Sequence, residues 1–154
     1  MALETRVISS ELTYEIRKQV LWPHIKNGDY SMSVDKYPDT FHLGTFLDKK
    51  IISIGTFIND NNSKFNCNLQ YRLRAMATDK NYRKLGAGKK LFLKAIEILK
   101  QKKINLLWCD ARLIAIPFYK SVKMISLPNS YYIPNIGEHK TMYIYLNSIE
   151  CKKQ

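Results

Sequence analysis

The sequence predicts an α/β fold built on a mixed sheet, and three observations carry that expectation. Short runs rich in β-branched and aromatic residues alternate along the chain with stretches whose apolar residues recur at helical spacing. The clearest of the helical stretches places Gly88, Leu91, Phe92, Ala95, Ile96 and Leu99 on one face, with Lys89, Lys90, Lys94 and Lys100 largely opposite. Directly after it, Ile104 to Asp110 (INLLWCD) is short, apolar and continuous, as a strand buried on both faces would be.

The remaining elements fall into order around these. Thr5 to Ser10 is a short β-like run, and Ser10 is placed to cap a helix over Glu11 to Trp22, where Leu12, Ile16, Val20 and Leu21 form the apolar stripe. Pro23 to Pro38 is polar and turn-rich, a loop of the length that more often serves a site than a mere connection. FHLGTFL and IISIGTFI, separated by Asp48, Lys49 and Lys50, read as a hairpin, and Asn59 to Asn66 as a polar turn before a strand over Leu69 to Thr78. Leu113 to Val122 reads as a short helix starting close before Pro117, because proline is tolerated only in a first turn. Two strand-like runs, SYYIP and KTMYIYL, flank a turn at Asn135 and Gly137.

At 154 residues the chain has the size of one domain, expected to span 1–154. The longest apolar runs fall far short of the roughly 20 residues of a membrane span, and no basic-then-apolar leader opens the sequence, so a cytoplasmic protein without membrane attachment is expected. Cys67, Cys109 and Cys151 are odd in number and lack metal-ligand spacing; they read as free thiols, with no metal site. The formal net charge of +12 attracts anions of any kind, nucleic acid and polyphosphate cofactors alike, and does not choose between them.

The segment YRKLGAGKKLF narrows the choice. A P-loop would need glycine where Arg83 stands and Ser or Thr where Lys90 stands. A dinucleotide fingerprint would need its third glycine at Leu91. What remains is Arg-x-x-Gly-x-Gly, formed by Arg83, Lys84, Leu85, Gly86, Ala87 and Gly88, between a strand and an amphipathic helix. Glycines permit close approach of the backbone, while the helix start offers free N–H groups and a dipole that favours negative charge. Such a turn suits a pyrophosphate.

On AMATDKNYRKLGAGKKLF, on LLWCDARLIAIPFYKSV and on the order of elements over nearly the whole chain, the sequence resembles the GCN5-related N-acetyltransferase (GNAT) superfamily. The resemblance implies a mixed, mostly antiparallel sheet flanked by helices, and acetyl-CoA as cosubstrate. It places Arg83, Lys84, Leu85, Gly86, Ala87, Gly88 and Lys89 at the pyrophosphate, with Met76, Ala77 and Thr78 beside the pantetheine arm. It also places Tyr119, which follows Ala115 and Phe118 as in the family's Ala-x-x-Phe-Tyr block, near the thioester sulfur. A phenol there can protonate the departing thiolate.

The base that deprotonates the amine stays open among His42, Asp110, His139 and ordered water; IGEHKTM resembles a bacterial branch with a histidine near the last strand. Two departures stand out: Lys123 and Met124 occupy the usual Gly-Phe positions after the tyrosine helix, and Arg112 stands where asparagine is common. Cys109 ends a strand near the implied thioester but has no adjacent histidine to activate it, so it reads as a packed small side chain.

The function expected is transfer of an acetyl group to a primary amine, a small molecule accommodated between the 23–38 loop and the last strands, where Asp29, Tyr30, Asp35, Tyr37 and Asp39 offer acidic and aromatic groups. A homodimer is compatible with this. A non-catalytic acyl-CoA sensor is the alternative that would lack turnover. A nucleic-acid module would gather its lysines on one face among aromatics, whereas here they spread along the chain.

Overall fold

Seven strands, in the order β1-β2-β3-β4-β5-β7-β6, make one mixed sheet in residues 2–147, the part of the chain that the computed structural model describes. The chain divides into two compact units, Met1–Ile58 with Leu73–Glu97 and Asn59–Arg72 with Ile98–Gln154.

In the first unit, β1 (Leu3–Ile8) pairs antiparallel with β2 (Phe41–Leu47), and β2 with β3 (Lys50–Asn59) around a turn whose Asp48 has φ 55°. The expected hairpin therefore forms, with Lys50 already paired to Leu47. β4 (Gln70–Thr78) leads through a 3-10 turn at Lys80–Tyr82 into α2 (Ala87–Gln101). The apolar face of α2 seats Leu91, Phe92, Ala95 and Leu99, all fully buried. At Gly55 a Cβ would lie 3.1 Å from Leu91 Cδ2 and 3.3 Å from Phe57, so glycine is what lets the helix settle this close on β3.

The helix expected over 11–22 is three registers in succession: a 3-10 turn at Ser10–Thr13, a single α turn at Tyr14–Ile16 (α1) and a π segment at Arg17–Leu21. Ser9, not Ser10, precedes the first turn, and no side chain caps it. The buried face is also different, because Leu12 is half exposed while Thr13 and Arg17 are fully buried.

Arg17 explains the change. Its Nη1 and Nη2 donate to the two carboxylate oxygens of Asp35 at 2.8 Å each, Nη2 also donates to Thr56 Oγ1 at 2.9 Å, and Nη1 to the Tyr30 carbonyl at 2.8 Å. His42 Nε2 and the Met32 N–H complete the shell of Asp35, both at 2.8 Å. A buried charge is tolerated only when paired and hydrogen-bonded. The loop expected over 23–38 is therefore tied down to β2 and β3, with a 3-10 turn at Ser33–Lys36.

In the second unit, residues 70–72 of β4 pair parallel with β5 (Leu106–Arg112), which pairs antiparallel with β7 (Gly137–Tyr145), itself flanked by β6 (Ile125–Ile133). β6 starts well before the expected SYYIP run. Its register shifts between Ser126 and Ser130, across Pro128, as proline on an edge strand requires. Leu106, Trp108 and Tyr143 pack under Phe65, Cys67 and Leu127. A 3-10 turn, Leu113–Ala115, opens α3 (Ile116–Ser121), with Pro117 in its first turn as expected.

After α3, Lys123 takes the left-handed conformation (φ 77°), and the Met124 N–H returns to the Tyr119 carbonyl at 3.0 Å. A lysine thus makes the helix stop that glycine usually makes. The expectation of three free thiols is corrected at Cys67, which is disulfide-bonded, whereas Cys109 is free and buried. An odd count leaves one thiol over but does not prevent a pair, which tertiary proximity decides. Cys151 lies outside the described residues. Among the described residues no helix is long and apolar enough to cross a membrane.

Burial pushes the Asp35 carboxyl up, but the hydrogen bonds from Arg17, Met32 and His42 outweigh it and hold the carboxyl well below the usual range. A depressed native value means stability is fully present above the unfolded value of about 3.9 and drains away as pH falls below it. Asp35→Asn should cost about 3–5 kcal/mol at neutral pH by leaving Arg17 buried and unpaired, and should flatten the acid limb of stability against pH in thermal unfolding. Lys123→Gly should raise stability by about 0.5–1 kcal/mol, the left-handed strain removed less the entropy glycine adds to the unfolded chain, read as a higher denaturant midpoint at unchanged slope.

Candidate active site

In the first unit, the exit of β4 is fastened from below. Ala75 has φ 50° in mid-strand, a local break in the regular extended backbone. Beyond it Ser53 Oγ donates to the Ala77 carbonyl at 3.3 Å and lies 3.0 Å from Thr78 Oγ1, and the Asp79 N–H donates to the Ile52 carbonyl at 2.8 Å. Met76 and Thr78 are half-buried and Ala77 buried. Asp79 Oδ1 accepts the Asn81 N–H at 2.9 Å, which shapes the turn that follows.

The Arg-x-x-Gly-x-Gly segment then forms an arch, exposed over Arg83 to Gly86 and buried at Ala87 and Gly88. Lys84 (φ 66°) and Gly86 (φ 84°) are both left-handed, and a Cβ at Gly86 would meet nothing within 4 Å, so glycine serves the backbone conformation and not a packing contact. The Lys90 N–H donates to the Gly86 carbonyl at 3.0 Å and closes the first turn of α2. The N–H groups of Ala87, Gly88 and Lys89 stand before that bond, where an α-helix supplies no carbonyl of its own. Arg83, Lys84, Leu85 and Lys89 are exposed around them. Lys90 is committed elsewhere, its ammonium donating to the Leu3 carbonyl. The residues present fit a pyrophosphate: orphan amides, a helix N-terminus and exposed cations converge on one arch.

In the second unit, Tyr119 is buried on α3, edge-to-face with Phe118 at 5.3 Å between centroids. Its hydroxyl hydrogen-bonds the Cys109 thiol. Burial, then the neighbouring Cys109, pushes the phenol well above its ordinary value, so it stays protonated. Burial, reinforced by the charge of Asp110, likewise pushes the Cys109 thiol up and leaves it un-ionised. A protonated thiol is no nucleophile.

Asp110, one residue on, faces the other side of β5. Its Oδ2 accepts from Arg72 Nη2 at 2.6 Å and its Oδ1 accepts from the Tyr131 hydroxyl. Burial and then that hydrogen bond push the Tyr131 phenol up to about 12. His139 stacks on Tyr131 with centroids 6.0 Å apart, and its Nδ1 donates to the Gly137 carbonyl at 2.8 Å.

Of the three base candidates, Asp110 and His139 thus meet through Tyr131, whereas His42 sits with Asp35 and Arg17 in the first unit. Asp35, read from sequence as an acidic group for the acceptor, is enclosed in that pair. Sequence reasoning missed Tyr131, Thr141, Arg72 and Lys64. The alternation His139, Thr141, Tyr143 along β7 was the available signal for one face, but the partner on β6 depended on a register that Pro128 shifts. No group of three or more His, Cys, Asp or Glu among the described residues could hold a metal ion.

A mixed sheet with this strand order and helices on it is the architecture of the acyl-CoA N-acyltransferases. The match is direct in sequence as well: residues 9–123 fit the Acetyltransferase (GNAT) family, and the chain belongs to that family and is an N-acetyltransferase by class. It is 36% identical over 141 residues to the uncharacterized N-acetyltransferase YitI of Bacillus subtilis (strain 168), covering 92% of this chain and 95% of the relative. In fold it resembles a putative N-acetyltransferase from Lactobacillus plantarum (TM-score 0.75, 17% identity, 96% of this chain and 100% of the other). It also resembles an aminoglycoside 6'-N-acetyltransferase in complex with coenzyme A (TM-score 0.74, 8% identity, 96% and 98%).

Any L-residue at Gly86 must adopt the left-handed conformation or distort the arch. Gly86→Val should cost about 1–3 kcal/mol of local strain and weaken coenzyme A binding in calorimetric titration, while the far-ultraviolet spectrum stays native.

Proposed function

We propose that the chain is an acetyl-CoA-dependent N-acetyltransferase, one catalytic domain over residues 1–154, that acetylates a primary amine on a small cytoplasmic molecule by direct attack. The observation that carries this reading is the Arg83–Lys89 arch opening into α2, with orphan amides and exposed cations suited to a pyrophosphate. The Ala77–Thr78 strand exit, held by Ser53 and Ile52, offers extended backbone to an amide-bearing arm.

Acetyl-CoA when bound supplies the activated acyl group. Tyr119 stands as general acid because burial keeps its proton in place over the working pH range, ready for the sulfur as the amine displaces it. Its present partner, Cys109, is a weak hydrogen-bonding group that the phenol can exchange for a more strongly accepting thiolate. Asp110 lies on the face of β5 opposite Tyr119 with both oxygens engaged by Arg72 and Tyr131, which makes it a poor base and leaves ordered water as the simplest acceptor of the amine proton. His42 is buried against Asp35, and His139 is placed to steer Tyr131.

Calorimetric titration of acetyl-CoA, with free CoA and ATP as controls at two salt concentrations, tests the cofactor: one-to-one binding of both CoA species with weak ATP binding is expected. Attraction to every polyanion that vanishes with salt would instead favour a nucleic-acid module. Tyr119→Phe should lower turnover by about 10²-fold with cofactor affinity unchanged. A native chain that binds CoA yet turns over no amine in a broad screen would favour an acyl-CoA sensor.

A further inference from the structure

The polar face of the second unit carries a side chain that the chemistry above does not use. Lys64, in the segment between β3 and β4, reaches over the sheet: its Nζ donates to Thr141 Oγ1 at 3.1 Å and lies 4.7 Å from the centroid of the Tyr131 ring. Thr141 is fully buried, and its hydroxyl donates in turn to the Tyr131 oxygen at 3.4 Å. Tyr131 donates to Asp110 Oδ1. The donors therefore run in one direction, from an ammonium through two hydroxyls to a carboxylate.

This is the set of partners an alkylammonium needs. An aromatic face attracts the charge, a buried hydroxyl oxygen accepts an N–H, and a carboxylate behind them supplies the field. Asp60 and Asp110 both face the guanidinium of Arg72, at 3.6 and 2.6 Å. Arg72 is fixed there over the Trp108 ring at 4.8 Å, and Lys64 brings a second cation to the Tyr131 ring. Lys64 is itself exposed and approaches from a loop, so it is the member of the cluster that can leave.

We infer that Tyr131, Thr141 and Asp110 form a binding site for a protonated primary alkylamine, and that Lys64 occupies it as an internal stand-in that an incoming amine displaces. This deepens the amine-acetyltransferase reading and rests on it for its purpose. The acceptor class it names is an unbranched primary alkylamine, the group that Lys64 itself presents. The site shares β5 with Tyr119 through the consecutive residues Cys109 and Asp110, on opposite faces of that strand.

The test is calorimetric titration of n-pentylammonium chloride at constant ionic strength, with and without CoA, so that it requires no turnover. If Lys64 holds the site about nine-tenths of the time, Lys64→Ala should bind the probe about tenfold more tightly than the native chain. Adding Tyr131→Leu or, to preserve shape, Thr141→Val to Lys64→Ala should abolish that gain, and neutral n-pentanol should not bind. Equal affinity in the native chain and Lys64→Ala overturns the displacement. Tight binding that survives both second substitutions, or equal binding of pentanol, overturns the site. Failure of CoA to bind in parallel runs counts against the cofactor reading and is read separately from the alkylammonium result.

Discussion

The alternation of side chains along β5 is the constraint on which the second unit depends. Because successive residues point to opposite faces, Cys109 goes into the core against Tyr119 while Asp110 goes to the face shared by Arg72, Tyr131 and Thr141. A slip of one residue would place a carboxylate against a buried phenol and a thiol against a guanidinium. The pairing of β5 with β7, Asp110 opposite Thr141 and Cys109 opposite Met142, holds that choice in place. Two phenols of different setting are thus met by one strand, Tyr119 against Cys109 on one face and Tyr131 in an ionic network with Asp110 on the other.

The first unit solves a different problem. An arch whose amides are left free for the proposed pyrophosphate cannot have its shape maintained by bonds to those amides. It is maintained from behind instead, by Asp79 on Ile52 and Asn81, by Gly86 accepting from Lys90, and by the close seating of α2 at Gly55. Arg17 and Asp35 play the same part for the loop over residues 23–38, replacing a small apolar core with a bidentate ion pair. Such a pair is rigid and directional, which suits a loop that has few apolar residues to bury.

Much of this was legible before any coordinates. The α2 stripe, the start of α3 at Pro117, the hairpin and the glycine arch each obey a local rule: a period, a missing N–H, a φ only glycine accepts readily. The first helix was not legible in detail, because Arg17 reads as a surface charge at helical spacing, and the π segment exists to turn that charge inward toward Asp35, eighteen residues away. β6 was half missed, since Pro128 argues against a strand unless the strand is an edge. Lys123, which stands for the glycine of Gly-Phe, takes the left-handed conformation that a glycine would and ends α3 there.

By itself the sequence determined the family, most of the order of the elements, the glycine turn that opens α2 and the place of Tyr119 on α3, because each is written in neighbouring residues and in spacings of a few positions. The tertiary structure alone decided that Asp110 meets Arg72 and Tyr131, that Lys64 lies across Tyr131 onto Thr141, and that His42 belongs to a buried ion pair. Those contacts join residues up to 77 positions apart. They depend on strand register and loop path, which are set by the collective burial of side chains and not by any local preference.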